Sequence, residues 1–416
     1  MKHVYFDYAA TTPVDSRVKK AMLPYFSEKF GNTMSLHSFG QEAKLVLEKS
    51  RETVADLIRA KPEEIIFTGS ATESNNLALK GIAFANQNKG HTRLHRYASP
   101  HRYASPQQIQ RFWRAKRCGQ VIISPIEHPC IIETAKWLQK QGFQITKLKV
   151  DKYGMVNPLA LEKEIRKDTI LVSVIHASNE IGTIQPIEKI GKICRNKGVY
   201  FHTDAVQSFG KIPIDVNKMN IDLLTASSHK MYGPKGAACL YIREGVRIEP
   251  ILHGGGQERG LRSSTVNIPA IVGFAKACEI CKKEMGKEAQ RLIKLRDKLI
   301  RNVLKIKGSY LNGHPQKRLP NNANFRFDFI EGESIILRLD LLGIAVSTGS
   351  ACSSIKLEPS SVLLATGLKP AEAHGSLRIS LGRWTTEKEI DYLIKVLPGI
   401  INQLRKISPF KVIKSA

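Results

Sequence analysis

Residues 221–236, IDLLTASSHKMYGPKG, contain the clearest local transition in the sequence. An apolar, β-prone run over residues 223–226 changes abruptly to Ser-Ser-His-Lys, and turn-forming glycines and a proline follow. This pattern predicts a buried strand that leads directly into Lys230. The amine of such a lysine can form a Schiff base with an aldehyde, while Ser227 and His229 can hydrogen-bond a phosphate. The alternative is a solvated surface lysine, and the rest of the chain has to decide between the two.

Strands and amphipathic helices alternate on the N-terminal side of this stretch. Strands are predicted over residues 120–124, 144–150, 169–175 and 199–202, and helices over residues 131–140, 158–166 and 187–196. Repeated strand–helix units predict an α/β fold in which a mostly parallel sheet carries helices on both faces. Because ligands of such sheets bind at the carboxyl ends of the strands, a site is expected where the polar runs 127–129, 176–180 and 202–207 meet.

A run of three glycines at residues 254–256 marks a change in pattern. A long, lysine-rich amphipathic helix is predicted from residue 269 to about residue 304, and a unit of mixed strands and helices follows it. The sequence therefore predicts two domains. The large domain spans residues 16–256, and the smaller α+β domain combines residues 1–15 with residues 257–416.

The composition narrows the classes of protein to which this chain can belong. Its 416 residues are 42% hydrophobic, which is ordinary for a globular protein with a sizeable core. No apolar run approaches the roughly twenty residues of a membrane span, so no membrane association is expected. Seven scattered cysteines suit a reducing compartment better than a disulfide framework, and they predict a cytoplasmic location.

The formal net charge of +27 favours acidic partners. However, the lysines are spread over nearly every amphipathic segment without a nucleic-acid-binding signature, so direct nucleic-acid binding is not the favoured prediction. One basic run, residues 91–119, repeats HRYASP in tandem at residues 95–100 and 101–106. We interpret this run as a surface insertion, and the alternative is a basic, aromatic arm for single-stranded nucleic acid.

A cofactor site can be assembled from groups at the predicted strand ends. Pyridoxal phosphate requires an acidic group at its ring nitrogen, donors for its phosphate and phenolate, and a lysine amine. Asp204 can supply the acid, Gln207 can reach the phenolate, and His128 can lie over the ring and move protons. Thr72 lies in a small-residue turn before a predicted helix, where a phosphate can bind. Each residue alone has a structural alternative such as a helix cap, but their joint occurrence favours pyridoxal phosphate.

Ordered motifs occur along nearly the whole chain. They are FDYAATTP (6–13), TGSATESNN (68–76), IEH (126–128), SNEIGTIQPI (178–187), HTDAVQ (202–207), SSHKMYGPKG (227–236), HGGGQERGLRS (253–263), STGSACSS (347–354) and SLRISLGR (376–383). With these motifs the sequence closely resembles the cysteine desulfurases of the NifS/IscS group, within the class V aminotransferase-like enzymes. The resemblance implies fold type I of the pyridoxal-phosphate-dependent transferases, with a mostly parallel, seven-stranded sheet in the large domain.

The resemblance also implies roles for individual residues. Lys230, Cys352 and His128 would be catalytic, as the lysine that carries the cofactor, the sulfur-accepting nucleophile and the acid/base stacked on the ring. Arg378 would hold the substrate carboxylate, and Asn179 would lie near both ring and substrate. The residues implied to contact the cofactor are Ala71, Thr72, His128, Asn179, Asp204, Gln207, Ser227, His229, Lys230 and, across a dimer interface, Thr265.

The activity implied by the resemblance converts L-cysteine to L-alanine and leaves the sulfur as a persulfide on Cys352, for iron–sulfur cluster assembly and tRNA thiolation. Expected partners are L-cysteine, a second copy of the chain, and an iron–sulfur scaffold protein or other sulfur acceptor. The alternatives are another class V enzyme, such as a selenocysteine lyase or aminotransferase, and a catalytically inert nucleic-acid-binding protein. No metal site is predicted, because Cys278 and Cys281 form a C-x-x-C pair without a second pair.

Overall fold

The computed structural model describes residues 3–87, 118–349 and 359–408. Most of the predicted insertion 91–119 therefore lies outside the described residues, and so does Cys352. The last two residues of that run, Cys118 and Gly119, are described and belong to a strand that begins two residues earlier than the sequence predicts.

Helices and strands alternate over most of the described chain. The strands are β1 (Val4–Tyr5), β2 (Ile65–Thr68), β3 (Cys118–Ile123), β4 (Phe143–Lys147), β5 (Thr169–Ser173), β6 (Tyr200–Asp204), β7 (Leu223–Ser227), β8 (Ala238–Ile242), β9 (Ser309–Asn312), β10 (Asn322–Phe327), β11 (Ile344–Ala345) and β12 (Ser376–Ser380). The helices are α1 (Ser16–Met22), α2 (Pro24–Ser27), α3 (Ser38–Asp56), α4 (Ala71–Ala85), α5 (Pro129–Lys140), α6 (Pro158–Glu164), α7 (Ile187–Lys197), α8 (Ile268–Val303), α9 (Gly332–Asp340), α10 (Ser361–Ala365), α11 (Pro370–His374) and α12 (Glu387–Ile407).

The central sheet has seven strands in the order β2-β8-β7-β6-β5-β3-β4. The neighbours from β7 to β4 are parallel, and β8 is antiparallel to both β7 and β2. Only residues 228–237 connect β7 to β8, which is fewer than a parallel crossover needs. The predicted α/β class and mostly parallel seven-stranded sheet are confirmed.

Alternate side chains of the sheet enter hydrophobic cores on its two faces, as the period of a strand requires. In β2, Ile65 and Phe67 join the core that includes α3, α7 and the first half of α8, whereas Ile66 joins the core that includes α4 and α5. Strand β7 is buried along its entire length. A strand covered on both faces explains why residues 223–226 read as a continuous apolar run.

A second group of elements packs around its own core. Strands β12, β10 and β9 form an antiparallel sheet, and β1 pairs with β11. Helix α8 reaches both cores, because Phe274 packs near the central sheet and Leu299 packs in the second core. The limits of the two domains remain a prediction. Among the described helices, none is long and apolar enough to cross a membrane.

Candidate active site

A cavity of about 550 Å³ opens at the carboxyl ends of β6 and β7. Ten of the residues expected at a cofactor or substrate site line it together. They are Ala71, Thr72, His128, Asn179, Asp204, Gln207, Ser227, His229, Lys230 and Arg378. The cavity also has lining residues that the sequence did not single out, namely Ala9, Ala10, Asn75, Cys130 and Lys235.

Asp204 is the last residue of β6 and is only 3% exposed. The backbone N–H of Val206 donates to its Oδ1 at 3.0 Å, and Asn75 Nδ2 donates to its Oδ2 at 2.8 Å. Asn75 lies in α4 three residues after Thr72, so the two share a face of the helix. That spacing was the available sequence signal for Asn75. Two donors hold the carboxylate in one orientation at the cavity wall.

The N-terminal segment runs along the cavity and supplies backbone acceptors. Lys230 Nζ donates to the carbonyl oxygen of Ala9 at 2.8 Å and also to that of Ala10. Gln207 Nε2 donates to the same Ala9 oxygen at 2.9 Å. The amine and the amide are thereby held against one stretch of backbone.

His229 lies where several positive charges meet. Burial, together with the charges of Lys230, Lys235 and Lys211, lowers the pKa of His229 to about 4. The ring is therefore neutral at pH 7, with Nδ1 3.1 Å from Thr11 Oγ1. Lys230 and Lys235 line the cavity beside this neutral imidazole and form a cationic corner that favours an anion.

His128 is the residue before α5, and its side chain caps that helix. The backbone N–H of Cys130 donates to His128 Nδ1 at 3.3 Å, and Cys130 Sγ lies 3.0 Å from the same nitrogen. Burial lowers the pKa of His128, which the charge of Asp204 raises and that of Lys230 lowers. The helix cap and the thiol fix the ring at the cavity.

Arg378, in β12, lines the cavity with a side chain that is only 2% exposed. Its Nη2 donates to Asp7 Oδ1 at 2.8 Å, and its Nη1 donates to the carbonyl oxygen of Asn179 at 3.1 Å. Its Nε is buried and has no hydrogen-bond partner within the described residues. A buried N–H without a partner is uncommon, and here it leaves one donor for a ligand.

Glu180 lies beside both described ends of the segment that contains Cys352. Ser360 Oγ donates to Glu180 Oε2, and a Cβ added to Gly349 would come within 2.7 Å of the same oxygen. Arg378 Nη1 also approaches the carbonyl oxygen of Gly349 at 3.4 Å. Burial raises the pKa of the Glu180 carboxyl. The residues that flank the segment of Cys352 are thus fixed next to Arg378.

Thr265 is exposed and does not line the cavity of the single chain. Its expected phosphate contact crosses a dimer interface, so this placement leaves the contact as a prediction. The carbonyls of Ala9 and Ala10 were missed, since backbone carbonyl groups have no signature in the sequence. Asp7, which acts through its side chain, was quoted only as part of the motif FDYAATTP.

Comparisons with known proteins agree with this geometry. The pattern of the family Aminotransferase class-V matches residues 4–97 and 104–393. Cysteine desulfurase IscS 1 of Archaeoglobus fulgidus is 53% identical over 405 residues, which are 97% of this chain and 98% of the relative. A solved structure of a NifS-like protein has a TM-score of 0.84 and 40% identity, covering 97% of this chain and 100% of its own. The structure of SspA in complex with cysteine has a TM-score of 0.77 and 35% identity, with coverages of 92% and 100%. The chain therefore belongs to the class-V aminotransferase family and, within it, to the IscS cysteine desulfurases.

Proposed function

We propose that this protein converts L-cysteine to L-alanine and receives the sulfur as a persulfide on Cys352. The observation that carries the proposal is one cavity in which the amine of Lys230, the carboxylate of Asp204 and the guanidinium of Arg378 converge. Full-length similarity to IscS cysteine desulfurases supports the same reaction.

Enzymes of this family depend on pyridoxal phosphate, and the residues of the cavity fit that group. A cavity of about 550 Å³ has the volume of a cofactor site. We propose that Asp204 holds the ring nitrogen and that Ser227, His229 and Thr72 hold the phosphate in the cationic corner. Gln207 would donate to the phenolate oxygen.

When bound, the cofactor accepts the electrons left at the substrate Cα after its proton departs. Asp204 would pair with the ring nitrogen and favour its protonated form, which would support that electron acceptance. Lys230 and His128 are two of the groups at the cavity that can accept or return a proton. Arg378 would bind the substrate carboxylate through one Nη–H and its Nε–H, which has no partner among the described residues.

The sulfur step balances without an external oxidant or reductant. The thiolate of Cys352 attacks the sulfur of the substrate, an S–S bond forms and the substrate C–S bond breaks. The electron pair of the broken bond remains with the three-carbon fragment, which takes up protons and leaves as alanine. A cysteine thiol has an ordinary pKa of about 8.5, so a nearby base or positive charge must favour the thiolate.

We also propose a homodimer. Residues 23–45 expose several large apolar side chains, namely Leu23, Phe26, Phe30, Met34, Leu36, Phe39 and Leu45. Leu36 is 92% exposed, the rings of Phe30 and Phe39 lie 5.6 Å apart, and exposed apolar side chains of this number are typical of a protein interface. Exposed Thr265 would then reach the partner's cofactor. Sedimentation equilibrium of the holoenzyme tests the dimer.

The proposed acceptor of the persulfide sulfur is an iron–sulfur scaffold protein, with tRNA thiolation as a second use. The proposed location is the cytoplasm, since six cysteines of the described residues are free thiols. Direct nucleic-acid binding is not part of the proposal.

Purified holoenzyme incubated with L-cysteine tests the function directly. We expect alanine and protein-bound sulfur from the wild type, and no turnover from Lys230→Ala because its amine is missing. Cys352→Ser should keep the absorbance of the bound cofactor but accumulate no persulfide. Cys118→Ser, which changes a thiol outside the cavity, is the matched control. Alanine production at the wild-type rate by Lys230→Ala would contradict the proposal. Undiminished protein-bound sulfur in the Cys352→Ser variant would contradict it as well.

A further inference from the structure

Cys130 is a second thiol at the cavity, and the reaction proposed above does not use it. It lies in the first turn of α5, half-buried between His128 and Asn75. Asn75 Nδ2 donates to Cys130 Sγ at 3.1 Å, and Sγ is 3.0 Å from His128 Nδ1. The thiol therefore connects a buried amide to the histidine ring.

The direction of each hydrogen bond follows from groups that can only donate or only accept. The Asp204 carboxylate only accepts, so the NH₂ group of Asn75 must face it, and the second hydrogen of that NH₂ group points at the sulfur. Asn75 Oδ1 is correspondingly left buried without a partner among the described residues.

At the other side of the thiol, the backbone N–H of Cys130 can only donate, and it donates to His128 Nδ1. This bond is long at 3.3 Å, and it favours an unprotonated Nδ1 without enforcing it. When Nδ1 is unprotonated, the contact between Nδ1 and Sγ has one possible direction, from S–H to the nitrogen, and the thiol adds a second donor to the same atom. With both donors in place, the neutral ring carries its proton on Nε2.

We propose that Cys130 is a positioning residue whose thiol, held by Asn75, keeps the ring proton of His128 on Nε2. The bonds run from Asn75 Nδ2 to the sulfur, and from the sulfur to His128 Nδ1. This inference rests on the proposed function only for its kinetic consequence, because the tautomer itself can be measured without turnover.

The charges around the pair support this direction of donation. Burial raises the pKa of the Cys130 thiol to about 12, with the charges of Asp204 and Glu127 acting in the same direction and hydrogen bonds from Asn75 and Thr72 opposing them. The thiol is therefore protonated, and able to donate, at neutral pH. Asp204 and Lys230 are the charged groups that face the His128 ring, and they have opposite effects on its pKa.

Donation to Nδ1 stabilises the neutral ring relative to the imidazolium. Removing the thiol should consequently raise the pKa of His128 and admit the other neutral tautomer. The backbone N–H of Cys130 remains in such a variant, so we expect a partial change. A net hydrogen bond corresponds to about a twofold to tenfold change in the tautomer ratio.

The test compares Cys130→Ala and Cys130→Ser as ¹⁵N-histidine-labelled holoenzymes by nuclear magnetic resonance. The spectrum of His128→Gln identifies the signal of His128 among the 12 histidines. The wild type and Cys130→Ser, whose hydroxyl can still donate, should show the Nε2–H form alone. Cys130→Ala should show both tautomers and a higher pKa. Cys118→Ser controls for loss of a thiol elsewhere.

An unchanged tautomer and pKa in Cys130→Ala would overturn the proposal, and so would an Nδ1–H form in the wild type. It also fails if Cys130→Ser behaves like Cys130→Ala, because hydrogen bonding would then not be the cause. In kinetics, Cys130→Ala should lower kcat about twofold to tenfold with KM unchanged, and Cys130→Ser should restore it. A changed tautomer with unchanged kcat would support the positioning by Cys130 and count against proton transfer by His128.

Discussion

At the scale of single residues, the surroundings of Arg378 combine two opposite demands. A guanidinium that is almost fully buried needs a partner, and Asp7 supplies a carboxylate at 2.8 Å. A residue that binds a substrate carboxylate must also keep donors available, and the buried Nε–H provides one. Asp7 thus stabilises the positive charge of Arg378 without occupying every N–H donor of its guanidinium.

Arg378→Lys keeps the positive charge but removes the planar guanidinium, whose paired N–H groups can bind a carboxylate at two points. We expect KM for L-cysteine to rise about tenfold or more, because one bidentate, charge-assisted contact is lost, while cofactor absorbance stays unchanged. Steady-state kinetics with L-cysteine provide the measurement. Arg326→Lys is the matched control, since Arg326 lies in the neighbouring strand β10 and stacks on Tyr310 away from the cavity. Equal KM values for the two variants would remove Arg378 from substrate binding.

At the scale of elements, Asp15 fastens the start of α1 to the loop after β12. Its Oδ1 accepts from the backbone N–H of Arg17 at 2.9 Å, which caps the helix. Its Oδ2 accepts from Arg17 Nη2 at 2.9 Å and from Arg383. The hydrogen bonds from Arg17 and Arg383 hold the pKa of Asp15 well below its usual range, although burial opposes them. One carboxylate therefore joins two parts of the chain that are far apart in sequence.

Asp15→Ala removes the helix cap and leaves Arg383 without this partner. We expect the free energy of unfolding to fall by about 2–3 kcal/mol. Loss of the helix cap accounts for about 1 kcal/mol of this, and loss of the ion pair accounts for the rest. Urea denaturation of the holoenzyme measures the change. Asp168→Ala breaks an exposed ion pair with Arg166 and should cost less than about 1 kcal/mol. If the two variants lose the same stability, Asp15 has no special role in fastening α1.

The N-terminal segment also shows where inference from sequence stops. The apolar run of β7 and the polar residues after it were enough to predict a strand leading into Lys230. The acceptors of the Lys230 amine are the carbonyls of Ala9 and Ala10, more than two hundred residues away. Every residue has such a carbonyl, so nothing in the sequence distinguishes these two. Asn75 differs, because its helical spacing from Thr72 could have revealed it.

The histidines also show what the sequence alone cannot predict. His128, His176 and His202 all lie at or beside predicted strand ends, and local patterns alone do not rank them; the choice of His128 rests on the resemblance to the NifS/IscS group. In the structure His128 lines the cavity. His202 is instead enclosed by the sheet, with Nδ1 2.9 Å from Ser173 Oγ and Nε2 3.2 Å from Thr225 Oγ1. The difference depends on which strands become neighbours, a long-range property that local patterns do not contain.

At the scale of the whole molecule, buried neutral histidines connect stability to pH. Burial lowers the pKa of His202 to about 3 and that of His176 to about 4, from a usual value of 6.5. Both rings are fully enclosed and have hydroxyl partners, the partner of His176 being Ser208 at 2.9 Å. Above pH 6.5 neither the folded nor the unfolded chain protonates them. Below it the unfolded chain binds protons that the folded chain cannot accept.

The free energy of unfolding should therefore fall as the pH drops from 6.5 towards 4. Each of the two histidines contributes a slope of up to about 1.4 kcal/mol per pH unit in that range. The carboxyl of Glu127, whose pKa burial raises to about 8, has the opposite slope because its folded form retains a proton that the unfolded form loses. The wild-type slope is thus a difference between opposing contributions.

Replacing one histidine isolates its contribution to the pH dependence of the free energy of unfolding. His202→Gln keeps a side chain that can hydrogen-bond Ser173 or Thr225 but cannot titrate, so its stability should depend less steeply on pH than that of the wild type. We expect the difference in unfolding free energy between the two proteins to shrink by up to about 1.4 kcal/mol for each pH unit between 6.5 and 4. Urea denaturation at pH 7, 6 and 5, with the same cofactor concentration throughout, measures it. A difference that stays constant over this range would mean that His202 titrates alike in the folded and unfolded chain, and its enclosure by the sheet would then have no effect on its protonation.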